Sequence, residues 1–438
     1  MAELRRVSNG TAFCAPPRLP AGIAAVLSLL LALPGCRAPE TSRGSGVTLR
    51  MLVPANERPF WIPLAESFEK AQPGVRIELE EGPVPTDLRE SLTTAALLSG
   101  DGAFDLVYLD VTWTSKLAAA GWLLPLDGEI GEAEKAEFLP QALAAGIFRG
   151  HLYRIPFRTD VGLLYYRADL LAAAGIAPPR TFAELEDAAR RLQSPPGRWG
   201  FLWQGAQYEG LVCFFLEVLH GHGGFWIDPE TLEVGLERPE AAAALAFLLR
   251  ARAPGGISPP GVAAYKEEET RHLFQSGRAV FLRNWPYVWR LAQREGSEVA
   301  GKVGVLPVPT LSGAPGSGTL GGWGLAVARS SRHPAEALAF LRHATTLESQ
   351  RLFCEPTGYA PARKVAYDDP VLLASNPFLA DLRQIHAGAT PRPVVARYEQ
   401  ASDILQRHLT AAIAGLSTPG AALADAARET RLVLGETP

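Results

Sequence analysis

Cysteine is scarce in this chain: 438 residues carry four. Cys14 and Cys36 fall at the N-terminus, which leaves Cys213 and Cys354 for the body of the chain. Two thiols so far apart in sequence make no disulfide framework; buried free thiols are the favoured reading, with a bridge left open. An excess of one charge is missing too. Lys and Arg number 42 and Asp and Glu 46, for a net charge of −4 at pH 7. That excludes the basic field with which a chain binds nucleic acid. After Cys36 no apolar run reaches the ~18 residues that a membrane-crossing helix needs. The glycine-rich stretch 312–322 lacks G-K-[ST] and is no phosphate loop, and no G-x-S-x-G nucleophile elbow stands out. His220 and His222 have no evident third ligand, which argues against a metal. The residues mark no catalytic group, no metal and no cofactor.

What is present begins at the N-terminus. Arg5, Arg6 and Arg18 precede an apolar run from Ala21 to Leu33. A basic region followed by a short apolar one is the order of an export signal, and 13 residues are too few to span a ~30 Å hydrocarbon core. The run ends in Leu33-Pro34-Gly35-Cys36, which resembles the lipobox of bacterial lipoproteins. The resemblance implies a signal peptide over residues 1–36, cleaved before Cys36, which then carries the lipid. Residues 37–46 are small and polar and read as a flexible tether. The mature chain, 36–438, is too long for one typical core and suggests two lobes.

The periodicity predicts strands over Val47–Val53, Arg76–Glu80 and Asp105–Leu109, with helices over Pro59–Lys70, Leu88–Leu98 and Ser115–Ala120 between and after them. This β-α-β-α order argues for a mostly parallel sheet with covering helices. The pattern restarts with one apolar strand over Val161–Tyr166. Thr181 and Glu184 form a capping box for a helix to Leu192. Helices follow over Leu211–Leu219, Ala241–Leu249 and Pro334–Ala344. Strands follow over Arg278–Leu282, Val303–Leu306 and Leu320–Ala328, and the tail Ser402–Leu434 reads as helical. The fold class is α/β.

Several segments carry a family resemblance: D-L-V-Y-L-D-V-T-W (105–113), W-Q-G-A-Q-Y-E-G-L-V-C (203–213), N-W-P-Y-V-W (284–289), L-G-G-W-G-L-A-V (320–327) and P-R-P-V-V (391–395). With F-E-K-A-Q-P-G-V (68–75), D-V-G-L-L-Y-Y-R-A-D-L-L (160–171) and others they span nearly all of the mature chain. The chain resembles the extracellular solute-binding proteins of bacterial carbohydrate ABC transporters, and among them is most similar to the trehalose/maltose-binding proteins. The resemblance implies a two-lobe clamshell with discontinuous lobes. It places residues 47–157 with 324–354 in an N-terminal lobe and 158–323 with 355–438 in a C-terminal lobe. Three crossings join them near Pro156–Asp160, Gly318–Trp323 and Cys354–Tyr359. It also implies a disaccharide ligand, an ABC permease as partner, a monomeric receptor without enzymatic activity, and an extracytoplasmic, lipid-anchored location.

A sugar needs flat rings for its C–H faces and fixed charged groups for its hydroxyls, since charge-assisted hydrogen bonds are short and strong. Matched position by position, the resemblance implies that Glu57, Arg89, Asp110, Asp160, Trp285, Tyr287, Gly322, Trp323 and Arg392 bind the ligand. Arg158 stands where the subgroup has an aromatic residue, so a donor fork replaces a stacking ring. It either points into the cleft, pairing with Asp160 or a ligand group, or points to solvent. Taken singly, each residue has a plainer explanation: Glu57 a solvated helix-start acid, Asp110 a turn cap, Arg89 a surface charge, Arg392 a loop residue, Trp285 and Trp323 core. The acidic run Glu267–Glu269 reads as a solvated face. A receptor for another oligosaccharide, or an enzyme that processes glycosides, is the alternative. Glycosidases also pair carboxylates in a cleft, but flanking arginines favour ionised carboxylates over a catalytic acid.

Overall fold

The computed structural model describes residues 46–435 apart from 314, 315 and 317. Cys36, the export signal and tether residues 37–45 lie outside the described residues. The first strand, β1 (Val47–Pro54), and β2 (Val75–Gly82) flank helix α1 (Arg58–Ala71). Helix α2 (Thr86–Ser99), strand β3 (Leu106–Asp110) and helix α3 (Trp113–Ala119) follow. Then come β4 (Ile155–Val161), β5 (Leu163–Arg167), α4 (Phe182–Leu192), β6 (Trp199–Leu202), α5 (Glu209–Gly221), α6 (Glu267–Gln275), β7 (Ala279–Asn284), β8 (Val303–Pro307) and β9 (Leu320–Val327). The short β10 (Ala360–Pro361) and helices α7 (Tyr398–Ile413) and α8 (Pro419–Leu434) complete the parts that place the site. The capping box forms: Thr181 Oγ1 accepts from the Glu184 amide at 3.1 Å, and Glu184 Oε2 from the Thr181 amide at 3.0 Å. The helical tail is two helices, because Gly415 turns at φ +75° and Thr418 caps the second ahead of Pro419.

Two sheets organise the chain. One has the order β10-β4-β9-β3-β1-β2, the other β8-β5-β7-β6. The first is mixed rather than mostly parallel. β1 pairs parallel with β2 and β3, but β9 runs antiparallel to β3 and β4, and β10 antiparallel to β4. The reason is the route of the chain. β9 enters from the other sheet's region, after β8, without a crossover helix, so parallel entry is not imposed on it.

The expected strand Val161–Tyr166 is in fact the junction of two, and they belong to different sheets. The chain changes sheets at Gly162, whose amide donates to the Thr319 carbonyl at 3.1 Å. A Cβ at Gly162 would fall 1.7 Å from the Glu217 carboxylate. Both strands are buried along nearly their whole length, so the apolar run passes through the switch unbroken.

Under this junction lies a fully buried ion pair. The Arg283 guanidinium donates to both Glu217 oxygens, and its Nη1 to Gln204 Oε1 at 3.1 Å. Both side chains are at most 1% exposed. The Arg283 guanidinium also lies 4.1 Å from the Trp285 ring centroid, which couples the pair to a candidate site residue. Removing one partner of such a pair leaves a bare buried charge. Glu217→Gln is expected to cost about 3–5 kcal/mol, read as a lower denaturant midpoint.

Candidate functional site

Strand register puts three site residues side by side. Arg158 on β4 is paired with Trp323 on β9, and Trp323 with Asp110 on β3. Two residues on from Arg158, Asp160 returns to the same face and sits opposite Gly321. Glu57 ends the turn after β1, just before α1. Arg89 comes from α2, Trp285 and Tyr287 from the end of β7 and beyond it, and Arg392 from the loop before α7. All ten residues expected at the site, Gly322 among them, line one cavity of about 310 Å³.

The plainer explanations separate here. Arg89 is no surface charge: it is 3% exposed, and its Nη1 donates to the Pro83 and Val84 carbonyls at 2.7 and 2.9 Å. Asp110 does cap its turn, since Oδ1 accepts from the Thr112 amide and hydroxyl at 3.1 Å. The same oxygen accepts from Arg392 Nη2 at 2.8 Å. Arg392 therefore does more than stiffen a loop. Its other nitrogen, Nη1, donates to Glu209 Oε1 at 2.7 Å, so one guanidinium joins β3 to α5. Trp323 is 6% exposed and packed on Tyr108 and Trp113, with the Arg89 guanidinium 4.4 Å from its ring.

Arg158 points into the cavity, not to solvent. Nη1 meets Asp160 Oδ2 at 2.5 Å, Nη2 meets Glu57 Oε1 at 3.2 Å, and Nε donates to the Tyr108 hydroxyl at 2.9 Å. Burial pushes the Asp160 carboxyl up to about 6 even though Arg158 pulls it down; Asp110 and Glu57 add to the rise. The set offers ionic acceptors, donor forks and rings in one concave space, which is the equipment for a polyhydroxylated ligand.

Residues 54–351 match the family model of the bacterial extracellular solute-binding proteins. The chain belongs to that family. It is 33% identical over 359 residues to a "probable ABC transporter-binding protein" of Deinococcus radiodurans, covering 80% of this chain and 84% of that one. It is 28% identical to the mannitol-binding protein of Pseudomonas aeruginosa, over 76% of this chain and 78% of the relative. Among solved structures, maltose-bound MalE3 of T. maritima superposes with a TM-score of 0.83 at 36% identity, over 88% of this chain and all of the other. The solute-binding protein thus has the two-lobed α/β fold of that class. Its relatives bind solutes rather than act as enzymes. Among the described residues no helix is long and apolar enough to cross a membrane.

The solute-binding protein also uses residues that sequence reasoning passed over. The Glu267–Glu269 run is solvated as expected, with Glu268 and Glu269 exposed, but it also borders the site. It opens α6 at the cavity, where Glu267 Oε1 accepts from Trp285 Nε1 at 3.3 Å and Glu268 Oε1 from the Tyr287 hydroxyl at 2.8 Å. Tyr208, Glu209 and Tyr359 line the cavity too. Glu209 lies in the quoted W-Q-G-A-Q-Y-E-G segment, so a signal existed. It holds Arg392 together with the hydroxyls of Tyr398 and Ser402 on α7, at 2.6 and 2.5 Å. His220 and His222 are taken up by packing. The His222 ring stacks on Phe182, and burial pushes His220 down to about 4. Cys213 and Cys354 are both free and buried.

Gly322 serves the cavity through its backbone. It has φ +123°, and a Cβ there would meet the Arg158 carbonyl at 2.7 Å. Gly322→Ala is expected to lower stability by about 1–3 kcal/mol in thermal or denaturant unfolding, because neither the φ nor the neighbouring strand can yield.

Proposed function

We propose that this solute-binding protein is the receptor of a carbohydrate ABC importer. It takes a disaccharide of the trehalose/maltose type between its lobes and delivers it to the permease. The observation that carries this reading is the convergence of all ten expected residues on one cavity, in the proportions a sugar needs. Asp110, Asp160 and Glu57 accept from hydroxyls, Arg89, Arg158 and Arg392 are the cationic partners, and Trp285, Tyr287 and Trp323 supply rings. The lobe boundaries set out above go with this reading. Maltose bound to MalE3 of T. maritima supports the ligand class. Sugar that touches both lobes favours the closed form by its differential affinity for it, and the closed form docks on the permease.

A thermal-shift series with trehalose, maltose and sucrose tests the reading, since a ligand at 100 times its Kd stabilises by about 2.7 kcal/mol. One of these sugars is expected to raise the melting temperature, and Asp110→Ala and Trp285→Ala are expected to abolish the rise. Unchanged sugar affinity in both variants would refute the site, and release of free glucose from any of the three sugars would refute the receptor.

Lipidation at Cys36 is the second part of the proposal. Acyl chains at about 0.8 kcal/mol per buried CH₂ hold the chain to a membrane, and residues 37–46 then act as a leash. In cells making the full chain, Cys36→Ser is expected to move the protein from the membrane fraction to the soluble extracytoplasmic fraction. Retention on membranes after that change would show that the lipid is not the anchor.

A further inference from the structure

Arg158 is the cavity residue that departs from the subgroup pattern, and its bonds show how the departure works. Three of its donor positions go to Tyr108, Asp160 and Glu57. One face of the guanidinium lies 3.8 Å from the Tyr359 ring centroid, and the side chain is 6% exposed. The Tyr108 and Tyr359 hydroxyls both donate to Glu57 at 3.0 Å, so the phenols and the guanidinium enclose that carboxylate together. Asp160 differs: its buried Oδ1 accepts from no group among the described residues.

We propose that Arg158 is a positioning residue that holds Glu57 in place and keeps Asp160 ionised as an acceptor, and so sets the pH range in which the cavity takes its ligand. The proposal rests on reading the cavity as a sugar site. Several carboxylates share one buried space, and unpaired they would shed charge by taking up protons. The charged groups facing Asp160 are Arg158 and Arg392, which attract its charge, and Asp110 and Glu57, which repel it. Tyr165, Cys354, Tyr359 and Tyr367 beside it are buried with their pKa values raised, and they stay neutral over the pH range tested. With Arg158 in place the carboxyl is held at about 6, and it is ionised at neutral pH with little margin. An aromatic ring at this position could stack on a sugar, but it could not hold two carboxylates. Oδ1 of Asp160 is the oxygen left for a ligand hydroxyl, and it is a strong acceptor only while the group is charged.

The sign follows from linkage. A proton on Asp160 competes with the ligand, so affinity is full above about pH 6 and falls below it by up to tenfold per pH unit. The test is calorimetric Kd for maltose from pH 5 to 8.5. Arg158→Gln is expected to move the acid limb upward by more than one pH unit. It then binds weaker by about twofold or more at pH 7 than the native protein and recovers toward pH 8.5. Arg158→Lys keeps the charge and most of the native profile, and Asp160→Asn removes the acid limb. A loss of the same factor at every pH in Arg158→Gln, or an acid limb that survives in Asp160→Asn, would overturn the proposal. A second readout needs no sugar. NMR titration of carboxyl-labelled Asp160 in the unliganded protein is expected to give a midpoint near 6, moved above 7 in Arg158→Gln. An unmoved midpoint overturns the proposal even where maltose fails to bind, while a moved midpoint without maltose binding faults only the choice of ligand.

Discussion

Two buried arginines, each shared between two carboxylates, hold the cavity together. Arg158 joins Glu57 to Asp160, and Arg392 joins Asp110 to Glu209. The four acids come from the turn before α1, from β3, from β4 and from α5, and neither arginine is near its partners in sequence except Arg158 to Asp160. Such pairs are poor sources of net stability, because desolvation offsets most of the Coulomb attraction. What they fix is arrangement. A guanidinium fork has one geometry for two carboxylates, so the strands and helices that carry the acids must meet in one register. Geometry of that kind suits a site whose ligand is read through hydroxyl directions.

The rings rest on arginines as well. Trp323 is sandwiched among Tyr108, Trp113 and the Arg89 guanidinium, and Trp285 rests on Arg283, which is itself locked by Glu217. Trp285 is therefore positioned by a charge that is positioned by another charge, and Trp323 by a guanidinium that backbone carbonyls hold. A site built in this way pre-organises its stacking surfaces before ligand arrives, and little rotamer entropy remains to be lost on binding.

Much of this was legible in the sequence, and what was not has physical causes. The helix over Pro334–Ala344 was bounded on both sides, and the Thr181 capping box was read correctly, because caps and prolines act locally. The ten residues came from family motifs, and the cavity collects them all. The split at Gly162 was invisible, since two strands buried on both faces look like one apolar run. The antiparallel entries of β9 and β10 were invisible because strand direction depends on where the chain returns from. The role of Glu267 and Glu268 was hidden for a third reason. An acidic first turn of a helix is so ordinary on a solvated surface that its composition says nothing about what it faces.

One consequence reaches past the cavity. Arg392 bridges β3 to α5, and the Ser115 hydroxyl on α3 donates to the Val395 carbonyl at 2.9 Å. These bonds join the region of the six-stranded sheet to that of the helices around α5 and α7. A ligand can shift a conformational equilibrium only by its differential affinity for the two states. Bonds that already hold the described conformation reduce the work left to the ligand, so more of its contact energy is expressed as affinity. They also narrow the change in population that ligand can cause. On the proposed receptor reading, the guanidinium that builds the site also limits how far ligand can shift the population between the two conformations.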